Sequence, residues 1–326
     1  MTGRSTLCLA GALFLMAAPL AAHELMAVRD QNPLIRGLYL PVAGDAPMKP
    51  GSPVQQFLLT VSNTTNIERA DGESIWVDGE SLELRWLMAW EPVEGLRLRF
   101  TVPVVHYGGG ALDSIVDGWH DLFGLSGGWR PRIPGDEFIY YYGSPDGALY
   151  EAEGGTAFGD SALEAGMQLH KTQRANLSAW LGVEAPTGES AKLTGNGDWD
   201  VAIWLEGGWA FAPRATLEAR AGIVRAGSAA PLPLEPRGWV PFGSVGAGWE
   251  ATPALCLRLQ LDGHGRMVET SDLRFLGEAV QLTLGAEYRS PGGWRWQVAL
   301  SEDVLVDASP DFAIQLGVHI GGGGTR

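Results

Sequence analysis

Ser-Leu-Glu-Leu-Arg-Trp-Leu-Met-Ala-Trp, residues 81–90, puts Leu82, Leu84, Trp86, Met88 and Trp90 on one parity and Ser81, Glu83, Arg85 and Ala89 on the other. A period of two marks a strand whose two faces meet unlike surroundings. Residues 96–104 repeat it, setting Leu96, Leu98, Phe100, Val102 and Val104 against Arg97, Arg99 and Thr101. Stretches at 163–169, 177–183, 199–211, 217–223, 255–261, 280–288, 294–300 and 312–320 alternate in the same way, and 54–62 and 240–249 do so less cleanly, which makes twelve strands. They approach the ~9–11 residues with which a tilted strand crosses a bilayer, beyond the ~5–6 of soluble sheets.

The connections alternate between short and long. Short ones fall at 91–95, 171–174, 212–214, 251–253 and 290–293, and long ones at 63–79, 107–159, 185–197, 225–239, 265–276 and 302–310. Outer-membrane barrels have this asymmetry, with tight periplasmic turns and longer outer loops, and an even strand count puts both chain ends in the periplasm. Trp90, Trp209, Phe211, Trp249, Tyr288 and Trp294 cluster beside the short turns, as an interfacial girdle would. Lipid permits no open sheet edge, so the sheet must close. The expected fold is an all-β transmembrane antiparallel β-barrel of about 12 strands over residues 54–320. Residues 23–53 form an N-terminal periplasmic or plug segment and 321–326 a flexible tail. The charged parity then faces inward, giving a polar lumen lining of Glu83, Arg85, Arg97, Arg99, Glu164, Glu218, Arg220, Arg258, Asp262, Glu287, Arg289 and Arg295. Both signs are present, so cross-strand pairing can neutralise them.

The 326 residues are 45% hydrophobic and only 19% charged, which excludes a disordered chain. A formal charge of -15 excludes a nucleic-acid binder, which needs a basic patch. The 45 glycines lack the period of three that collagen requires. Arg4 precedes an apolar run from Leu7 to Ala18, followed by Ala21 and Ala22, and residues 1–22 are expected to be a secretory signal peptide cleaved before His23. The run is too short to span a bilayer. Cys8 lies inside it rather than at the cleavage site, which argues against acylation, and the mature chain keeps Cys256 alone, so no intramolecular disulfide can form. Export and strand pattern together imply the outer membrane of a Gram-negative bacterium.

One long connection carries a different periodicity. Leu112, Ile115, Val116, Trp119, Leu122 and Phe123 share one helical face, and Asp113, Asp117, His120 and Asp121 occupy the other. Gly108, Gly109, Gly110 and Gly124 flank this amphipathic helix. A loop-helix gate is expected here, formed by Leu112, Ile115, Val116, Trp119, His120, Asp121, Leu122 and Phe123. Asp117, His120 and Asp121 offer one nitrogen and two carboxylates at i, i+3 and i+4. Three ligands without a fourth read first as a solvated face, so no metal site is assigned.

Asn32-Pro33-Leu34 with Gly37, Tyr39, Leu40 and Pro41, then Gly108-Gly109-Gly110 through Gly118-Trp119-His120-Asp121-Leu122-Phe123-Gly124-Leu125, and finally Ser301-Glu302-Asp303 with Pro310-Asp311, resemble the bacterial family catalogued as domain of unknown function 3187. The resemblance covers nearly the whole mature chain. It implies an outer-membrane β-barrel with no assigned activity, and gives no catalytic residues to carry over.

The expected function is a porin-like passive channel or uptake barrel for small solutes. The alternatives are a structural or assembly barrel without transport, and an outer-membrane lipid-modifying enzyme. An enzyme needs a nucleophile beside a base, yet His106, His120, His170, His264 and His319 have no serine two residues on. No catalytic residue and no cofactor is expected. The expected partners are outer-membrane lipids and lipopolysaccharide, and the barrel-assembly machinery during insertion, with no nucleic acid.

Overall fold

The computed structural model describes residues 25–42, 50–110, 118, 137–228, 232–304, 309–310 and 312–321. The expected signal peptide lies outside the described residues, as does the tail beyond Gly321. Fifteen strands occur among them: β1 (Val54–Ala70), β2 (Glu73–Val93), β3 (Leu96–Gly108), β4 (Ile139–Gly143), β5 (Leu149–Glu151), β6 (Gly155–Phe158), β7 (Ser161–Lys171), β8 (Ala175–Ala185), β9 (Asp200–Ala212), β10 (Ala215–Arg225), β11 (Trp239–Thr252), β12 (Leu255–His264), β13 (Ala279–Arg289), β14 (Arg295–Asp303) and β15 (Phe312–Gly321).

Twelve of them close on themselves. From β7 to β15 each strand pairs with the next, β15 returns to β1, and β1, β2, β3 and β7 complete the ring, every pair antiparallel. Each of the twelve strands expected from the alternation has its counterpart. Closure leaves no barrel strand with an unpaired edge toward lipid, the condition that hydrocarbon imposes on backbone amides.

The parity divides as the sequence implies. Leu163, Leu181, Ile203, Leu205, Leu259, Leu284 and Leu316 face outward, each between 47% and 59% exposed. A soluble monomer does not display so extensive an apolar belt. Its height follows from two pairs of tryptophans. Trp199 and Trp209, and likewise Trp239 and Trp249, stand ten residues apart with all four rings exposed. Ten residues rise roughly 33 Å along a strand, or about 25 Å along the membrane normal at a tilt near 40°, the height of the apolar band of outer-membrane barrels. The two aromatic rims thus bracket one hydrocarbon thickness.

The longest strands overrun that band. β1 and β2 pair continuously from Val54↔Ala89 to Ala70↔Glu73 and turn at Asp71 (φ 44°) and Gly72 (φ 87°). That left-handed pair is the Asp-Gly hairpin turn, where glycine carries the positive φ without strain. Residues 63–79, expected to be a loop, are therefore the outer half of a hairpin projecting past the rim. β4 pairs with this extension at Ser74 to Asp78, β5 pairs with β4, and β6 pairs with β3 at Val104 to Tyr107. The long connection between β3 and β7 thereby contributes three short strands to the long-loop end.

No helix among the described residues is long and apolar enough to cross a membrane. Among the described residues the helical positions are two single turns, Ser190–Lys192 and Arg274–Leu276, and Gly118. The loop helix expected at residues 112–123 is not supported: apart from Gly118 its residues, Leu112, Ile115, Val116, Asp117, Trp119, His120, Asp121, Leu122 and Phe123 included, lie outside the described ones.

The belt makes a direct prediction. Leu259→Arg or Leu284→Arg, which pair with each other in the middle of the band, should cost about 2–4 kcal/mol of stability, whereas Gly292→Arg in a short turn should cost under about 1 kcal/mol. Urea unfolding in lipid vesicles measures both, and equal losses at the three positions would refute the placement of the band.

Candidate functional site

The interior is organised around residues 25–42, a strap of chain that precedes β1. All of it is buried except Arg29, which is half-buried. Its partners lie on opposite sides of the ring. Gln260 of β12 accepts from the Met26 amide (2.7 Å) and donates to its carbonyl (3.2 Å), while Gln315 of β15 donates to the Ala27 carbonyl (3.0 Å). Asp30 meets His264 (3.0 Å) and Ser309 (2.9 Å), and Asn32 donates to the Phe275 carbonyl (2.6 Å). On the far side Arg36 pairs with Glu83 and donates to Ser81 (3.1 Å), both on β2. The Tyr39 hydroxyl donates to Glu164 of β7 (2.7 Å) and its amide to Asp200 of β9 (2.9 Å). Arg220 of β10 donates to the Pro41 carbonyl. Six barrel strands thus grip one segment from around the bore.

The course of the strap follows from these contacts. It begins at mid-barrel, rises to the long-loop end, turns through residues 33–38 and descends to place Val42 against Leu87 and Ala89 of β2. Side chains of the strap shape its own turn: the Asn32 amide donates to Asp30 (2.7 Å) and the Leu34 amide to Asn32 (3.0 Å). Such short-range side-chain bonds satisfy amides that no ladder supplies. At the apex Leu34, Ile35 and Leu38 join a buried apolar cluster with Ile75, Tyr107, Tyr140, Leu193, Leu273 and Phe275. Burial and then the Glu164 charge push the Tyr39 phenol well above its ordinary pKa, so it remains a donor.

Glycines on the wall make room for the strap. A Cβ on Gly182 would collide with the Tyr39 hydroxyl, one on Gly285 with the Met26 sulfur, and one on Gly246 would lie 2.8 Å from Leu25. These positions receive strap side chains where any other residue would fill the space.

The charged residues singled out in the sequence fall as follows. Glu83, Arg85, Arg99, Glu164, Glu218, Arg220, Asp262 and Glu287 are buried, and Arg97, Arg258, Arg289 and Arg295 are half-buried. Arg85 and Arg36 share Glu83, Arg99 meets Glu164 at 2.6 Å, and Arg220 approaches Asp262 at 3.6 Å. Glu287 collects Arg258 (3.7 Å), Arg295 (3.4 Å) and Arg289 (3.5 Å). The Arg99 guanidinium also lies 3.9 Å from the centre of the Trp180 ring, which stacks on Trp204. Ion pairing and cation–π contact compensate charges that burial would otherwise make costly.

Sequence reasoning missed the strap side of these pairs, Asp30, Arg36 and Tyr39, together with Gln260 and Gln315. A usable signal was present: Leu25, Met26, Val28, Leu34, Ile35, Leu38, Leu40 and Val42 are too apolar for a segment standing in the periplasm.

Chemically, the interior offers hydrogen bonds and fixed charge. Ser309, Asp30 and His264 meet, but serine and histidine both bond to the carboxylate, so the histidine is not placed to take the serine proton. Exposed His170 stands apart from them. Among the described residues no group of three His, Cys, Asp or Glu side chains is placed to hold a metal ion. Beside Asp30, Arg220, Asp262 and His264 lies a cavity of about 20 Å³, room for one water.

The family model described as protein of unknown function (DUF3187) matches residues 8–321. The chain belongs to this family. Among solved structures, the COG4313 outer membrane channel of Pseudomonas putida F1 is similar to this DUF3187 protein with a TM-score of 0.56 at 12% identity, over 84% of this chain and 96% of that one. That likeness is one of fold: the DUF3187 protein has the architecture of a bacterial outer-membrane barrel. The KdgM porin aligns with a TM-score of 0.43 at 8% identity, over 82% and 97% of the two chains. The toluene transporter TodX of Pseudomonas putida aligns with a TM-score of 0.37 at 13% identity, over 90% and 98%. No curated protein sequence matches the chain.

The glycine hollows are testable. Gly182→Val should push Tyr39 out at a cost of about 1–3 kcal/mol, making the strap roughly 5- to 150-fold more often exposed. Trypsin should then cut after Arg36 in the variant and leave the parent strap whole, with heat-modifiable gel migration showing that the barrel is still folded. Equal resistance of the two proteins would contradict the docking.

Proposed function

We propose that this protein is an outer-membrane uptake channel for small solutes, closed at rest by residues 25–42 lying in its bore. The observation that carries this reading is the strap itself, bonded to six strands from inside the ring, whereas residues 50–53 just before β1 are exposed. A segment so placed blocks diffusion until it moves. The short turns would face the periplasm and the projecting β1–β2 hairpin the exterior, with lipid and lipopolysaccharide against the apolar belt. The channel named for the Pseudomonas putida relative supports the same reading. The enzyme alternative draws no support from Ser309, whose hydroxyl bonds to Asp30 rather than to His264. A permanently closed structural barrel is the second reading, favoured by the number of strands that grip the strap.

Conductance separates the two. Removal of residues 25–42, and independently Gly182→Val, should raise single-channel conductance in planar bilayers above that of the parent protein, the deletion more than the substitution. Folded barrels of both variants that conduct no better than the parent would remove the channel reading and leave the structural one.

A further inference from the structure

On the outward face at the long-loop end, Arg225 of β10 stands exposed, in register with Trp239 of β11 and Val201 of β9. Its guanidinium carbon lies 5.9 Å from the centre of the Trp239 ring, and Nη1 donates to the Ala226 carbonyl and, at 3.2 Å, to that of Gly238. Nε and Nη2 have no partner among the described residues. Arg237, two residues before Trp239 and on the same parity, is exposed as well, and exposed Trp199 flanks the group on the β9 side. We propose that this cluster is a binding site for a phosphate of the lipid A headgroup of lipopolysaccharide. The site goes beyond the channel reading and takes from it only that the long-loop end faces the exterior.

Height, charge and neighbours select that ligand. Trp239 marks the outer edge of the apolar band, so Arg225 beside it lies at headgroup level, where tryptophan concentrates. Below it the outward side chains of Val201, Ile203 and Leu205 meet acyl chains. Two guanidiniums at that boundary, with apolar wall beneath, match a phosphate carried on acyl chains, a group that arginine recognises through paired N–H donors. The neighbouring carboxylates leave room for such an anion. Asp198 accepts from the Ser228 amide (2.8 Å) and hydroxyl (3.0 Å), and the Glu269 pair with Arg237 (3.6 Å) is solvent-exposed, where an ion pair is worth little. On the β13–β14 side the same outward parity carries Glu278 and Glu302 instead, so the basic sector is local. At the exterior surface of an outer membrane the phosphate-bearing lipid is lipopolysaccharide, because phospholipid occupies the periplasmic leaflet.

The test is titration of the purified, folded full chain in detergent with diphosphoryl lipid A, dephosphorylated lipid A and phosphatidylglycerol, read by native mass spectrometry, with EDTA present to remove cation bridges through Glu269. The parent should bind diphosphoryl lipid A saturably and more tightly than phosphatidylglycerol. Arg225→Gln should weaken that binding about tenfold, the worth of one charge-assisted hydrogen bond, and Arg237→Gln less, because Glu269 already holds part of that charge. Neither variant should alter binding of dephosphorylated lipid A, which separates a phosphate contact from simple anchoring of the rim by long side chains. Arg69→Gln, at an exposed arginine of the projecting hairpin, should behave as the parent. Equal binding of diphosphoryl lipid A by the parent and Arg225→Gln, absence of saturable binding, or tighter binding of phosphatidylglycerol by the parent would each overturn the proposal. So would parallel loss of both lipids in Arg225→Gln, which would make the site one for any lipid phosphate. Binding here needs no open bore, so failure of the lipid site and failure of the channel reading, which the conductance of the strap deletion tests, are distinguishable.

Discussion

A peptide group without a hydrogen-bond partner costs several kcal/mol in hydrocarbon, and the structure depends on meeting that demand. Pairing of β15 with β1 and of β3 with β7 closes the ring. Once closed, every strand has one face toward lipid and one toward the bore, which produces the period of two. The inner face must then carry the polar residues, many of which are buried. Burial explains why several of the interior charges are shared. Glu83 serves Arg36 and Arg85, and Glu287 serves three arginines.

The strap solves its own version of the same problem. It forms no ladder with the wall, so its amides and carbonyls turn to side chains: Gln260, Gln315, Asp200 and Arg220 from the barrel, and Asp30 and Asn32 from the strap. Irregular backbone at membrane depth is tolerated where protein surrounds it. Close approach of chain to wall requires wall positions without a Cβ, which gives Gly182, Gly246 and Gly285 a packing role.

What the sequence disclosed follows from where each residue meets lipid. Leu82, Leu84 and Trp86 lie against hydrocarbon, so their parity was legible, and with it the strands, their number and the charged inner face. Thr64, Thr65 and Asn66 of β1 stand beyond the lipid, where strand pairing needs no apolar alternation, and so the outer hairpin read as a loop. The contacts of the strap were illegible in another way. Met26 and Gln260 lie 234 residues apart, and no local period announces a contact of that range. Gln260 has the parity of an ordinary lumen residue, yet it grips the Met26 peptide from both sides. The wall glycines registered only as composition, since absence of a side chain says nothing about what fills the space.

The two ends of the strap resist release in different ways. Near Met26 and Ala27 the attachments are hydrogen bonds, which exchange for water at a net cost of roughly 0.5–1.5 kcal/mol each, together with the burial of Met26 and Val28 against Ala299. At the apex Leu34, Ile35 and Leu38 are embedded in the apolar cluster, and exposing each would cost roughly 1.5–3 kcal/mol. Release of the strap would therefore have to overcome polar and apolar attachments at both ends, with the larger apolar cluster at the apex. A ligand can shift such an equilibrium only by binding the two states unequally.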